Sequence, residues 1–432
     1  MGDAKVKTLQ AQTPQGLAGR LVRESQFVFN YDTQDRDCEL SLTMPLRAQS
    51  YAQNTVHPVF AMNLPEGALH TEISLRFAKQ FAKLDEMAML SLTGADRIGR
   101  ITLSQPNVTP RRRWAQVGLK ELLGSSASQD LFEFLVDNYL DAGISGVQPK
   151  VLIPDADRPA AERASVLSSD LIVKMAGAAH PHLCLNEHAC MDAARRAGLD
   201  VPEFWLSADA SLFIIRRFDI DEHGKRLGFE DMAALNRSTY DERGNYKYVG
   251  NYEGILRLIN ALTPENKVES SQRFFEYFVL SCMVRNGDAH LKNFGLLYDS
   301  PDRSETVRLS PLFDVVTTSA YDFEDRRTGR AVSDRTLALK FNKSAEYPMR
   351  DAVLAFGTQC FVKRPAEVIE RIGTAMSESL EANKDRFPRD LFIRMQAEWD
   401  GGRALLETDR VFVSAQGAVP LPGTGNQSTN NG

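Results

Sequence analysis

The chain has 432 residues, of which 43% are hydrophobic, with a formal net charge of −6 and five cysteines. This length and apolar content fit two or three globular domains, whereas the acidic balance disfavours a general nucleic-acid binder, because phosphate binding depends on clustered Lys and Arg. The odd cysteine count without a CxxC pair argues against a disulfide framework and a zinc site, so the thiols are expected in the core. Since residues 1–15 are polar and no apolar run approaches the roughly 18 residues of a membrane span, we expect a cytoplasmic protein.

The first part of the chain consists of short alternating segments, such as residues 25–31, with one helical stretch at 72–84. Alternation of apolar and polar residues indicates half-buried strands, and the helix between them indicates a mixed domain. We therefore predict a small α+β domain at 17–125, preceded by a flexible N-terminus at 1–16.

The next part of the chain alternates between strand and helix patterns. Its strand-like runs are residues 150–153, 170–174 and 212–215. A helical pattern at 128–140 precedes the first of these strands across a loop with two glycines, and a second helix at 185–197 would end at Gly198. This order predicts a mixed lobe of strands and helices at 126–220.

From about residue 253 the pattern turns helical. Apolar residues recur at helical spacing in three long segments, 271–284, 365–382 and 388–406. We predict an all-helical C-terminal lobe at 221–413. The tail at 414–432 is rich in Gly, Asn, Ser and Pro and is predicted to be disordered, because it cannot bury enough apolar area.

The segment 286–293, with the sequence NGDAHLKN, directly follows the predicted helix 271–284. Asp288 and Asn293 are five residues apart, which is the offset of the D-x-x-x-x-N catalytic loop of protein kinases. In that chemistry Asp288 accepts the proton of a substrate hydroxyl, and the amide oxygen of Asn293 binds Mg²⁺, which prefers oxygen ligands. The motif is short, so its position after an apolar helix carries much of its weight.

Asp314 follows a short apolar segment and lies 21 residues beyond Asn293. This interval leaves room for a hairpin in which residues 295–298 pair with 307–309. Such a hairpin would return Asp314 to the mouth of the same cleft, where its carboxylate could bridge magnesium to the phosphates. Taken alone, an aspartate at this place is more often a helix N-cap or a turn residue.

Two further segments offer partners for the phosphates of ATP. Lys174 ends a strand-like run and matches the strand lysine of kinases, since a buried ammonium needs an anion. Glu187 on the next helix could pair with it. The loop 143–150, GISGVQPK, has glycines that let backbone N–H groups approach phosphate oxygens, although it is not a Walker A sequence. His290 would either contact the nucleotide or brace the catalytic loop.

Taken together, these motifs resemble those of the HipA family of bacterial toxin kinases. Residues 143–150 are similar to the family's S-x-S-G-x-Q-x-K phosphate loop, 286–293 to its N-x-D-x-H-x-K-N catalytic loop, and 309–314 to its L-x-P-x-Y-D metal segment. Residues 63–67, NLPEG, resemble the L-P-E-G signature of the family's N-terminal domain, and 217–219, RFD, resemble the segment after its nucleotide hinge.

The resemblance implies an α+β, bilobal protein-kinase-like fold that uses ATP and Mg²⁺. It implies that the residues contacting the nucleotide or its metal are Ser145, Gly146, Val147, Gln148, Lys150, Lys174, Arg217, Phe218, His290, Lys292, Asn293 and Asp314. It also implies a serine/threonine protein kinase that phosphorylates a translation component, such as an aminoacyl-tRNA synthetase. The implied partners are a HipB-like helix-turn-helix antitoxin and, through it, operator DNA, with the chain acting as a corepressor.

Members of the family also autophosphorylate in the phosphate loop, which switches the kinase off. The first serine of the S-x-S-G pattern is Gly143 in this sequence, so Ser145 is the autophosphorylation candidate. A phosphate added where the ATP phosphates belong would be repelled from them.

Two other interpretations stay open. A small-molecule kinase of the aminoglycoside or choline type shares the D-x-x-x-x-N loop but not the 143–150 loop or the 63–67 segment. A corepressor subunit with weak kinase activity is the other, and the intact Asp288 and Asn293 argue against it. The basic run of Arg111, Arg112 and Arg113 is either a solvated loop or a contact to DNA or a partner.

Overall fold

The structure is a computed structural model, and it describes residues 5–66, 70–71, 73–75, 84–95, 97–108, 117–125, 130–131, 134–135, 150–157, 170–177, 180–324 and 329–407. The helix predicted at 72–84 and the one predicted at 128–140 lie largely outside these residues. The arginines at 111–113, the phosphate-loop residues 143–149 and the tail at 414–432 lie wholly outside them.

The N-terminal part is built on a five-stranded antiparallel sheet. In spatial order its strands are Tyr51–Gln53, Phe27–Tyr31, Gly16–Arg23, Thr8–Thr13 and Thr102–Ser104. The helices Pro58–Ala61 and Glu86–Thr93 contribute Phe60 and Leu90 to the core on this sheet. The predicted flexible N-terminus is therefore wrong for Thr8–Thr13, because this strand pairs on both sides and buries Leu9 and Ala11 completely.

A second antiparallel sheet forms the middle of the chain. In spatial order its strands are Lys150–Ile153, Leu171–Met175, Leu212–Arg216 and Phe204–Leu206. One face packs on the helix Leu183–Arg196, which ends just before Gly198, whose φ is 73°. The other face packs on Leu122 of the short helix Leu119–Gly124. The predicted strands and the Gly198 helix end are confirmed here.

The C-terminal lobe is mainly helical. Its helices are Met232–Leu235, Tyr252–Leu262, Lys267–Met283, Arg350–Gln359, Pro365–Asn383 and Arg389–Leu406. The central one, Lys267–Met283, buries Phe274 and Phe278 against Phe356. Short 3-10 helices in this lobe cover Asn245–Tyr248, Leu291–Asn293, Ser304–Thr306, Thr318–Ala320 and Lys384–Arg386, and one at Arg36–Cys38 belongs to the N-terminal part. The three long helices predicted for this lobe are confirmed.

This lobe also contains strands, so it is less purely helical than predicted. Its antiparallel pairings are Gly228–Asp231 with Gly295–Tyr298, Gly295–Tyr298 with Arg308–Leu309, Asp322–Glu324 with Ala331–Ser333, and Thr336–Phe341 with Ser344–Glu346. Leu296 pairs with Leu309 and Leu297 with Arg308, which confirms the predicted hairpin.

The N-terminal domain is docked on the rest of the chain by buried polar contacts. The fully buried carboxylate of Glu230 accepts hydrogen bonds from Ser41 Oγ at 2.7 Å, Leu42 N at 2.8 Å and Tyr298 Oη at 2.7 Å.

All five cysteines are buried and unpaired, as predicted. Among the helices of the described residues, none has the length and apolar character required to cross a bilayer.

Candidate active site

A cavity of about 810 Å³ opens where the middle sheet, the helical lobe and the N-terminal domain meet. Of the residues predicted to bind the nucleotide, it is lined by Lys150, Lys174, Arg217, Phe218, His290, Lys292, Asn293 and Asp314. Asp288, the predicted catalytic residue, lines the same cavity. Ser145, Gly146, Val147 and Gln148 lie outside the described residues. Side chains from five segments that are distant in sequence thus share one site.

Lys174 is the central cation of this cavity. Its Nζ lies 2.6 Å from Glu187 Oε1 and 2.6 Å from Asp314 Oδ1, and its side chain is only 4% exposed. Burial alone would lower the pKa of Lys174, but the carboxylates of Asp314 and Glu187 outweigh it and raise the pKa. The predicted pairing of Lys174 with Glu187 is confirmed. A buried, doubly paired lysine keeps a fixed position and a full charge at the base of the cavity.

The middle sheet brings a second lysine beside the first. Lys150 and Lys174 are directly opposite each other on neighbouring strands. Like charges in this arrangement repel unless anions lie near them. Burial lowers the pKa of Lys150, the Asp314 carboxylate opposes that shift, and the Lys174 ammonium adds to it. Two ammonium groups therefore lie close together at the cavity, and the carboxylates of Glu187 and Asp314 offset part of their charge.

Asp314 and Asn293 meet at the end of the predicted hairpin. Asn293 Nδ2 donates to Asp314 Oδ2 at 3.0 Å, and Asn293 Oδ1 accepts from His290 N at 3.0 Å. Asp314 has a φ of 62°, a left-handed conformation that is uncommon for a residue with a side chain. Lys174 and Lys150 overcome the effect of burial and lower the pKa of the Asp314 carboxyl. The carboxylate is therefore charged, and strain is stored where the function would need a fixed ligand.

The donor set at this point fits a magnesium ion. In the described part of the chain, no group of three or more His, Cys, Asp or Glu side chains could hold a metal. Magnesium in phosphoryl-transfer sites needs fewer protein ligands, because it is held by one or two carboxylates, substrate phosphates and water. Asp314 supplies a carboxylate, and the Asn293 oxygen keeps a free lone pair beside its bond to His290.

Asp288 is the exposed member of the site, with 47% of its side chain accessible. Its Oδ1 accepts a 2.6 Å hydrogen bond from the hydroxyl of Tyr248. The ring of Tyr248 also packs edge-on against His290, with centroids 5.2 Å apart. A hydroxyl of the protein thus lies on one of the two carboxylate oxygens of Asp288, and nearly half of this side chain is open to solvent.

His290 lies behind Asp288 and is 5% exposed. Burial lowers its pKa to about 4, although Asp288 acts in the opposite direction. The imidazole is therefore neutral at pH 7. Its backbone N–H holds Asn293, and its ring lines the cavity, so both predicted roles, bracing the loop and contacting a nucleotide, remain compatible with its position.

The buried histidine predicts a pH dependence of stability. The unfolded pKa of histidine is about 6.5, so the unfolded chain binds more protons as the pH falls below that value. The stability contributed by neutral His290 is fully present above pH 6.5 and is lost towards pH 4, which amounts to about 2 kcal/mol between pH 6.5 and 4.5. Between pH 6.5 and 4.5, the free energy of unfolding measured in urea should fall by about 2 kcal/mol less for His290→Asn than for wild type. His223→Asn, at an exposed site, should match wild type; equal losses in all three proteins would contradict the assignment.

The side chains of Lys292 and Arg217 line the cavity, and each already forms an ion pair with a carboxylate of the protein. Lys292 Nζ lies 2.7 Å from the carboxylate of Glu66 in the N-terminal domain. The Arg217 guanidinium is paired with Asp219 at 2.7 Å, and its side chain is 1% exposed. Phe218 packs its ring 5.2 Å from that of Phe313 and forms an apolar wall. Arg217 thus shapes the cavity from within the protein, whereas Phe218 faces its interior.

Sequence analysis did not identify two residues of this site as functional. Glu66 belongs to the 63–67 segment noted for its family pattern, and that pattern was the available signal. Tyr248 had no signal, because a tyrosine 40 residues before Asp288 in a polar stretch follows no period or motif.

The chain matches two family models. One, described as the HipA-like C-terminal domain, matches residues 142–383, and the other, the HipA N-terminal domain, matches residues 9–104. A Sinorhizobium fredii protein named "Putative kinase Y4dM" is 27% identical over 356 residues, which cover 77% of this chain and 78% of that protein. A Haemophilus influenzae protein named "Putative kinase" is 31% identical over 234 residues, covering 50% of this chain and 66% of that protein.

Among solved structures, the chain is similar to one in the complex of HipA, HipB and operator DNA from the Shewanella oneidensis MR-1 toxin–antitoxin system. The TM-score is 0.64 at 17% identity, and the match covers 92% of this chain and 96% of the other. At this identity the likeness concerns the fold. The C-terminal family model alone covers more than half of the sequence. The chain therefore belongs to the HipA family.

Proposed function

We propose that the protein is an ATP- and Mg²⁺-dependent serine/threonine protein kinase. The observation that carries the proposal is the convergence of Asp288, Asn293 and Asp314 on one cavity whose base is the Lys174–Glu187 ion pair. Catalysis of phosphoryl transfer rests almost entirely on positioning and electrostatic stabilisation. A carboxylate that can accept a proton, oxygen ligands for a metal and a fixed lysine are the protein groups that this chemistry requires.

Each residue has a role in this proposal. Asp288 would accept the proton of the acceptor hydroxyl. Asn293 and Asp314 would hold the magnesium ion, which would supply positive charge next to the phosphates. Lys150 and Lys174 attract the phosphate oxygens. Ser145, Gly146, Val147 and Gln148 would bind the phosphates. Phe218 forms a wall for the adenine, while Arg217 keeps the hinge segment in place through Asp219.

We further propose the biological setting. The chain would act as the toxin of a toxin–antitoxin pair in the bacterial cytoplasm, where it phosphorylates a translation component such as an aminoacyl-tRNA synthetase. Its partner would be a HipB-like antitoxin that binds operator DNA, with this chain as corepressor. Family membership supports this setting, as does a structural neighbour found in a complex with HipB and operator DNA.

Acceptor class is the point that distinguishes this proposal from a small-molecule kinase. The purified protein is incubated with [γ-³²P]ATP and Mg²⁺, once with a lysate of the native host and once with aminoglycosides and choline. We expect label on serine or threonine of a host protein, identified by phosphoproteomics. Label found in the small alcohols alone would refute the protein-kinase proposal.

Autophosphorylation gives a second prediction. We expect wild type to label itself at Ser145, and Ser145→Ala to lose that label while it still phosphorylates the host protein. A phosphate group on the loop would repel the phosphates of ATP. A variant that cannot carry this phosphate group should therefore keep an intact ATP site. Ser304→Ala, at an exposed serine, is the matched control. Peptide mapping that places the phosphate at another residue would overturn the assignment.

A further inference from the structure

A carboxylate from the N-terminal domain is part of the polar network behind the catalytic loop. Glu66 is 1% exposed, and Oε1 accepts from Lys292 Nζ at 2.7 Å and from Tyr246 Oη at 2.7 Å. Its Oε2 lies 3.3 Å from Lys247 Nζ. Burial would raise the pKa of Glu66, but Lys292 and Lys247 outweigh it and lower the pKa to about 2. Glu66 is therefore a buried anion held between two cations.

The surrounding chain fixes the position of this carboxylate. The hydroxyl of Tyr240 donates to the carbonyl of Pro65 at 2.9 Å, and Asn63 Nδ2 donates to the carbonyl of Ile98 at 2.9 Å. Gly244 lies against the carboxylate with a φ of 74°, and a Cβ there would be 2.8 Å from Glu66 Oε2. The close approach thus requires glycine, and the segment that carries Glu66 is held on two sides.

In the sequence, one lysine partner of Glu66, Lys247, precedes Asp288, and the other, Lys292, follows it. Lys292 is in the 3-10 helix Leu291–Asn293, directly before the proposed metal ligand. Lys247 belongs to the 3-10 helix Asn245–Tyr248, whose last residue places its hydroxyl on Asp288. One carboxylate therefore links the segment that ends in Asn293 with the segment that contacts Asp288.

Replacing Glu66 would have two separate effects, one on the affinity for a phosphate-bearing ligand and one on the rate of the transfer step. Lys292, Lys247 and Glu66 all line the cavity, so the carboxylate lowers the positive potential at its inner end. If this charge is removed, a phosphate-bearing ligand is bound at least as well. Loss of the two anchored segments, in contrast, slows the transfer step, because a displacement of about 1 Å in a catalytic constellation can cost about 100-fold in rate.

We propose that Glu66 is a positioning residue for phosphoryl transfer, and that the N-terminal domain thereby completes the catalytic site. This inference rests on the proposed kinase function. In this role Glu66 acts through Lys292 and through the Asn245–Tyr248 turn, with which its carboxylate is in contact. The hydrogen bonds of Glu230, at another place in the same interface, dock the domain and are separate from this positioning role.

The test compares two buried carboxylates of the same domain interface, Glu66→Gln and Glu230→Gln, in the full-length protein. ADP formation is measured at saturating MgATP and divided by the number of nucleotide sites from calorimetry, so that unfolded chains do not count. We expect Glu66→Gln to be slower by about 10- to 100-fold with an unchanged or tighter MgATP Kd. Glu230→Gln is expected to lower the melting temperature but keep the rate per site.

A second pair of variants keeps the test decisive if Glu66→Gln does not fold. Tyr246→Phe removes one hydroxyl from the Glu66 network, and Tyr298→Phe removes one from the Glu230 contact. The first should slow ADP formation per site several-fold and the second should not. Rates within twofold of each other in both pairs would overturn the inference. A wild type that forms no ADP would instead refute the proposed kinase function itself.

Discussion

Replacing Asp288 by asparagine is expected to slow ADP formation and protein phosphorylation by about 10²- to 10⁴-fold, which is the usual contribution of a general base. Asparagine has the shape of aspartate but cannot accept the proton of the attacking hydroxyl. The side chain is half exposed, and its Oδ1 carries a hydrogen bond from Tyr248 that the amide oxygen can still accept. Folding and MgATP affinity should therefore stay close to those of wild type.

A matched control is Asp385→Asn, which changes the same atoms at an exposed site far along the chain. This variant should transfer phosphate at the wild-type rate. If Asp288→Asn kept more than a tenth of the wild-type rate, Asp288 would not be the base, and the assignment of the 286–293 segment would have to be given up.

Replacing Asp314 by asparagine should abolish the magnesium dependence of nucleotide binding. The change removes the carboxylate that faces Asn293 and leaves Lys174 with one anionic partner in place of two. ATP without metal should then bind at least as well as to wild type, because the cavity has become more positive. MgATP should lose its advantage, and transfer should fall by at least about 100-fold, which corresponds to roughly 2.7 kcal/mol in the barrier.

Calorimetry with ATP in EDTA and with ATP in Mg²⁺ measures this directly. For wild type the two dissociation constants should differ clearly, and for Asp314→Asn their ratio should approach one. Glu187→Gln provides a useful contrast, since it also removes an anion from Lys174 but lies behind it, fully buried. It should therefore leave the magnesium dependence intact. An Asp314→Asn variant with an intact magnesium effect would exclude Asp314 as a ligand.

Much of the site followed from local sequence patterns. The hairpin that returns the chain to Asp314 was predictable because two short apolar runs lie at a suitable distance behind Asn293, and the structure pairs them. The contact between Lys174 and Glu187 was predictable because a buried lysine needs an anion and the next helix offers one.

The remaining features depend on long-range packing that no local pattern encodes. Glu66 meets Lys292 across 226 residues of sequence, and Tyr248 meets Asp288 across 40. The strand Thr8–Thr13 lies in a polar stretch, and its membership of the sheet is decided by the neighbours on both of its edges. The strands of the helical lobe are short, down to two residues in Arg308–Leu309, and so give little periodic signal.

The most direct test of the central claim is a crystal structure of the protein with Mg²⁺ and a non-hydrolysable ATP analogue. The account predicts a metal ion at about 2.1 Å from an oxygen of Asp314 and the amide oxygen of Asn293. It also predicts phosphates against Lys150 and Lys174 and a terminal phosphate that faces Asp288. A nucleotide bound outside this cavity, or one whose metal contacts neither Asn293 nor Asp314, would contradict it.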